Sequence, residues 1–253
     1  MSIRLYAITC GWMTMPLGFF LDGEEGELRL PVPSYLIEHP KGRILYDSGL
    51  SHEVGADPAA YLGPMRKHIQ VHYQAGDDIT TRLGDLDLGP DDIDLVVTSH
   101  LHFDHAGGLA QIPNSRHIVQ RREWAAGQEP DDVKRYGFFP KEYDLGHDLL
   151  QVDGEHDLFG DGSVICLPTH GHTPGHQSLK VGLESGDVIL AGDACYLRRS
   201  LDDLHLPKWC HDRDAMLGTF NMLRDLQSKG ARIFYGHDPD FWESLPQSPQ
   251  SIA

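Results

Sequence analysis

The segment Ser99-His100-Leu101-His102-Phe103-Asp104-His105 constrains this chain more than any other. Four metal-ligating side chains fall within it, directly after the apolar, β-branched run Asp94–Ser99 and just before Gly107-Gly108. Histidines two apart in an extended segment point to the same side. The chain then turns, and Asp104 and His105 face the same cavity from a short helix predicted to begin at Asp104 or His105. Imidazole and carboxylate at this density suit Zn²⁺ or a similar first-row dication. A lone histidine would be read as a solvated or hydrogen-bonded residue; this cluster behind a buried strand is not.

The rest of the chain reads as strands and loops. Ile3–Thr9 is a predicted strand, and Pro33–Glu38 and Arg43–Asp47 form a predicted hairpin around His39-Pro40-Lys41-Gly42. Further short strands are predicted at 116–120, 163–167, 177–181, 188–191 and 232–235. Residues 48–80 read as a long irregular connection, either a lid or a dimer contact. Apolar residues Met216, Leu217, Phe220, Leu223 and Leu226 keep to one face of a helix over 212–228, with Asp212 as N-cap and Gly230 just past its end. The tail from Pro246 reads as loose. No composition shift marks a boundary, so residues 1–253 read as one domain, with 1–30 and 241–253 less firmly part of it.

Charge excludes several function classes. The formal net charge is −17, so the chain has no cation excess to hold a phosphate backbone or an anionic membrane. No apolar run is long enough to span a bilayer, and the N-terminus lacks a secretory pattern. The four cysteines, Cys10, Cys166, Cys195 and Cys210, are scattered and read as reduced thiols of a cytoplasmic protein.

With His100, His102, Asp104 and His105 in view, the chain resembles the metallo-β-lactamase-fold hydrolase superfamily over roughly residues 30 to 240. Later motifs carry the likeness further. His172 in Gly171-His172-Thr173-Pro174-Gly175-His176, Asp193 in Ala191-Gly192-Asp193 and His237 in Gly236-His237-Asp238 each follow a predicted strand. The resemblance implies a four-layer αββα sandwich with a dinuclear metal site between its sheets. By the same resemblance His100, His102 and His172 hold one metal, Asp104, His105 and His237 the other, and Asp193 bridges them. Within the superfamily the chain is most similar to N-acyl homoserine lactone lactonases, because Asp193-Ala194-Cys195-Tyr196 matches their D-x-x-Y motif and no appended domain follows the Gly-His-Asp motif.

That likeness implies opening of the lactone ring of N-acyl homoserine lactones, a quorum-quenching reaction. A hydroxide shared by two metals would attack the carbonyl, since a metal lowers the pKa of bound water from 15.7 to about 7. Tyr196 would stabilise the oxyanion, and Asp104 would carry the proton to the leaving group. Zn²⁺ is the default metal, with cobalt, manganese or iron as alternatives. The expected partner is a small acyl lactone, with no nucleic acid and no membrane, on a monomer or homodimer. A thioesterase of the glyoxalase II type and a phosphoester or phosphotriester hydrolase are the rival enzymes, and a non-catalytic metal-binding protein is the remaining alternative.

Met13, Met15, Phe19 and Phe20 are expected to wall an acyl chain, joined by Trp12, Tyr61 and Met65. Plain core packing is the competing reading for each. The resemblance implies that Asp47, after the strand Arg43–Tyr46, is a carboxylate supporting the site and not a ligand. Asp238 is weighed between orienting a ligand imidazole and solvation, and His170 and His176 are read as structural. His52, His68, His72, His147, His156, His205 and His211 are read as surface or loop residues.

Overall fold

The computed structural model describes residues 2–253. Seven strands form one sheet: β1 (Arg4–Pro16), β2 (Glu27–His39), β3 (Gly42–Tyr46), β4 (Gln70–His72), β5 (Leu95–Val97), β6 (Arg116–Gln120) and β7 (Asp148–Val152), in the order β4-β1-β2-β3-β5-β6-β7. Five form the other: β8 (His156–Asp157), β9 (Val164–Pro168), β10 (Gln177–Leu183), β11 (Gly186–Leu190) and β12 (Arg232–Phe234), in the order β12-β11-β10-β9-β8. The strands β3, β5, β6 and β7 run parallel, while β1, β2 and β3 are antiparallel neighbours.

The layers follow from the period of two along each strand. Leu5, Ala7, Tyr35, Ile37, Ile44, Tyr46 and Val97 of the first sheet meet Cys166, Leu179, Val181, Val188, Leu190 and Phe234 of the second in one buried cluster. The alternate residues Tyr6, Ile8, Leu36, Leu45 and Val96, with Ile189 and Ile233 on the other sheet, join a second cluster that includes Met216, Phe220 and Leu223 of the helix Arg213–Ser228. Apolar strands buried on both faces between outer helices make the αββα arrangement.

The first strand is longer than predicted because it carries a bulge. Its register with β2 shifts between Thr9 and Trp12. One extra residue reverses which side chains face which way. Tyr6, Ile8 and Cys10 share the outward cluster before the bulge, and Met13 shares it after. Trp12 is therefore turned to the opposite face, where its ring packs under the Arg29 guanidinium at 4.4 Å. It does not join the acyl wall expected of it.

Three other expectations need correction. The 48–80 connection contains short helices at Pro58–Leu62 and Gly63–Lys67 and the edge strand β4, which pairs with Trp12–Thr14. Helices at Arg121–Gln128, Pro130–Tyr136, Arg198–Asp203 and Pro239–Ser244 were not anticipated. The tail is docked on the first strand. Ser248 N donates to Ala7 O at 2.8 Å and Ile252 N to Leu5 O at 2.7 Å, satisfying backbone groups that an unpaired strand edge would leave open. Deleting residues 247–253 should therefore lower the melting midpoint by roughly 4–8 °C, for a loss of about 2 kcal/mol in hydrogen bonds. A thermal melt of the truncated protein that overlays the full-length curve would show the tail to be energetically idle.

Candidate metal centre

Each candidate ligand sits just past the C-terminal end of a strand. His100 follows β5, His172 follows β9, Asp193 follows β11 and His237 follows β12. His102 precedes the short helix Phe103–Ala106, which carries Asp104 and His105. A rigid sheet thereby fixes loops that supply the chemistry. The loops holding Asp193 and His237 touch closely: a Cβ on Gly236 would lie 2.5 Å from Gly192 O, so only glycine fits there.

These residues converge into two adjoining groups, His100, His102, His172 and Asp193, and Asp104, His105 and His237. In the first, His100 Nε2 lies 2.8 Å from His102 Nδ1, and His172 Nε2 lies 3.1 Å from each. In the second, Asp104 Oδ2 is 3.6 Å from both His105 Nε2 and His237 Nε2. Asp193 faces both. Its Oδ2 is 3.3 Å from His172 Nε2, and its Oδ1 is 3.0 Å from His237 Nε2 and 3.3 Å from His105 Nε2.

The outer nitrogens are committed elsewhere. His102 Nε2 meets Tyr136 O at 2.8 Å, and His237 Nδ1 meets Pro31 O at 2.8 Å. A carbonyl can only accept, so each of these ring nitrogens carries the proton and donates. His105 Nδ1 lies 2.8 Å from Asp47 Oδ2. His100 Nδ1 lies 2.9 Å from Ser99 Oγ, which in turn donates to Asp47 Oδ2 at 2.9 Å. His172 Nδ1 lies 2.7 Å from Tyr196 Oη. With outer nitrogens protonated, the inner ones present lone pairs to one another and to carboxylate oxygens. Among the buried atoms without a hydrogen-bond partner are His105 Nε2 and Asp193 Oδ1, both on this inner side. Lone pairs and anions facing each other in a buried space repel, and a divalent cation bound to nitrogen and oxygen donors removes the repulsion. The residues present fit divalent metal.

Electrostatics agree. Burial, then the neighbouring imidazoles, hold His100 well below the usual histidine range; burial lowers His102 and His172 as well, favouring the neutral ligating form. Burial also works against charge on His105 and His237. The Asp193 and Asp104 carboxylates outweigh it and hold both above the usual range, the sign of a field that favours a cation there. Asp193 is driven well below the carboxylate range by His105 and His237 despite its burial. Burial, then Asp193 and Asp104, hold the Tyr196 phenol well above its ordinary value.

A cavity of about 260 Å³ opens beside this cluster. Met13, Met15, Phe19 and Phe20 line it together with Met65, and Asp104, Tyr196 and His237 form its polar end. Phe20 packs edge-on against Tyr196 at 5.1 Å. Tyr61 does not line the cavity as expected; it donates to Glu142 Oε1 at 3.0 Å and packs against Phe103 and Phe139.

Several residues have different surroundings from those the sequence suggested. Asp238 caps the helix Pro239–Ser244 and accepts from Arg198 N at 2.8 Å, so it orients no ligand imidazole. His211 is half-buried and pairs with Tyr136 Oη at 2.7 Å, and His72 meets Thr14 Oγ1 at 2.8 Å, so neither is a free surface group. His176 is buried, with Nδ1 2.9 Å from Thr169 Oγ1. Sequence reading passed over Tyr136 and Pro31, which act through backbone carbonyls that no side-chain pattern announces. It also passed over the buried His117 and Glu123.

Asp47 touches three groups at once: His105 Nδ1, Ser99 N at 2.6 Å and Ser99 Oγ. Asp47→Ala should weaken divalent-metal binding about 10- to 100-fold, measured by competition with a chelator. Wild-type affinity in that variant would show that Asp47 does not hold the imidazole in place.

The comparisons with known proteins point the same way. The pattern of the Metallo-beta-lactamase superfamily matches residues 28–237. The N-acyl homoserine lactonase AttM of Azorhizobium caulinodans is 34% identical, over 98% of both chains. The N-acyl homoserine lactonase AiiA of Bacillus thuringiensis subsp. kurstaki is 33% identical over 89% of this chain and 88% of its own. The crystal structure of an N-acyl homoserine lactone hydrolase, with the product N-hexanoyl-L-homoserine at its catalytic metal centre, superposes with a TM-score of 0.89 at 30% identity, covering 99% of this chain and 100% of that one. The chain belongs to the metallo-β-lactamase superfamily and, within it, to the family of the N-acyl homoserine lactonases.

Proposed function

We propose that this protein hydrolyses N-acyl homoserine lactones to N-acyl homoserines and so removes a bacterial quorum signal. One observation carries the reading: the Tyr196 hydroxyl lies where a cluster of histidines and aspartates meets an apolar cavity. An acyl lactone has the matching halves, a polar ring with an ester carbonyl and an apolar tail. The lactonase relatives support the same substrate class.

In this reading His100, His102 and His172 hold one divalent ion, and Asp104, His105 and His237 hold a second. Asp193 gives one oxygen to each group, a role supported by the opposite directions in which Oδ1 and Oδ2 face. Zn²⁺ is the metal we favour, and the same donors accept cobalt, manganese or iron. Bound there, such ions polarise an ester carbonyl and make water a nucleophile near neutral pH.

The chain's own groups supply the rest. With His172 Nε2 turned inward, its Nδ1–H donates to Tyr196 Oη, which leaves the phenolic proton free for the carbonyl oxygen as it gains charge. Hydrolysis adds water oxygen to the lactone carbonyl carbon, breaks the bond from that carbon to the ring oxygen and leaves an alkoxide needing a proton. Asp104 carries that proton, a role supported by its place in the cavity wall beside His237. Met13, Met15, Phe19 and Phe20 receive the acyl chain and exclude water from it. The net charge of −17 suits a small neutral substrate and not a nucleic acid. Four free cysteines support a cytoplasmic location, and no helix among the described residues is long and apolar enough to cross a membrane.

The test is hydrolysis of butanoyl, hexanoyl and decanoyl homoserine lactones beside a thioester and a phosphotriester, with metal content measured on the same sample. Lactones should be preferred, the protein should hold about two dications per chain, and chelation should abolish turnover until metal is restored. Turnover that survives chelation, or a thioester or phosphotriester preferred over every lactone, would refute the proposal. Tyr196→Phe should lower kcat/KM on lactones about 100- to 1,000-fold if the phenol stabilises the oxyanion. Unchanged kcat and KM would remove it from that role.

A further inference from the structure

Glu123 lies outside every motif described above, in the first turn of the helix Arg121–Gln128, and is completely buried. Its side chain reaches away from its own helix to two separate loops. Oε1 accepts from Leu101 N at 3.1 Å, and Oε2 accepts from Gly175 N at 2.8 Å. Leu101 stands between His100 and His102, and Gly175 lies in the turn that carries His172. One carboxylate thus joins the two loops whose imidazoles meet in the three-histidine group.

The contact is tight and costly. A Cβ on Gly175 would come within 2.2 Å of Glu123 N, so the turn can press against the helix only with glycine at that position. No Lys, Arg or His among the described residues forms an ion pair with Glu123. Burial pushes its carboxyl up to about 7. A carboxylate buried among two backbone N–H donors and the Thr173 hydroxyl, with no cation paired to it, is dearer than an apolar side chain of similar size would be. Packing does not explain its presence; two N–H groups from different loops that need one fixed, bidentate acceptor do.

We propose that Glu123 is a positioning residue that sets His100 and His102 against His172, so that their inner nitrogens converge on one point. The proposal rests on the reading that this group holds a divalent ion. A glutamine at 123 keeps the shape but offers one acceptor oxygen and one amide nitrogen, so one of the two loops loses its anchor. An aspartate keeps the charge and loses reach.

The experiment is a cobalt(II) titration of metal-free wild type, Glu123→Gln and Glu123→Asp, followed by visible absorption and by the paramagnetically shifted imidazole N–H signals, which identify the site being filled. Wild type should take up two ions per chain. Glu123→Gln should need about tenfold more cobalt or higher to fill the three-histidine site, the scale expected when a ligand's support is lost, while the Asp104, His105 and His237 site fills as in wild type. Glu123→Asp should fall between them, and it decides by the same criterion if the glutamine variant does not fold. Equal weakening of both sites would mark Glu123 as a general structural residue and overturn the inference, as would unchanged uptake. Wild type that binds no cobalt would overturn the metal reading itself, a result distinct from wild type that binds two ions beside an unaffected variant.

Discussion

Five imidazoles and two carboxylates crowd together at the ends of the strands, and their inner nitrogens and oxygens lie against one another at the polar end of the apolar cavity. The outer atoms are already used: His237 on Pro31 O, His102 on Tyr136 O, His105 on Asp47, His100 on Ser99 and His172 on Tyr196. These contacts come from both sheets and from the helical layer outside them. A metal that neutralises the centre therefore acts on the whole frame, because binding free energy for a site that exists only in the folded chain is also folding free energy.

The division of labour within the fold follows from this. The inter-sheet cluster is apolar and continuous, and it carries no ligand. The candidate ligands sit on short loops and one short helix just past the ends of buried strands. The first strand serves both needs through its bulge: before it the backbone packs as core, and after it Met13 and Met15 face the cavity. The tail then covers the early half of that strand while β4 pairs with the later half.

Much of this was legible in the residues. The strand 116–120 and the helix from Asp212 to Ser228 follow directly from local pattern, since a period of two or of 3.6 survives whatever surrounds it. The convergence of the candidate ligands was legible because histidine and aspartate at such density have few other uses. The bulge was hidden, as one inserted residue reverses facing without changing composition, and Trp12 was misassigned for that reason. The tail was hidden because its pairing depends on a strand edge more than two hundred residues away in sequence. The helices between 121 and 143 carry short, mixed faces that give no clear period. Tyr136 and Pro31 contribute carbonyls, and any residue has one. Glu123 looks from sequence like an ordinary acidic residue at the start of a helix; only its burial and its two loop partners mark it out.

The central claim concerns where cations lie, so anomalous X-ray scattering from a metal-loaded crystal addresses it most directly. The account predicts two peaks per chain, one about 2.0–2.2 Å from His100, His102 and His172, the other at similar distance from Asp104, His105 and His237, with an Asp193 oxygen directed to each. No peak at this centre in protein loaded to saturation, or a single ion that leaves one of the two groups unligated, would contradict it.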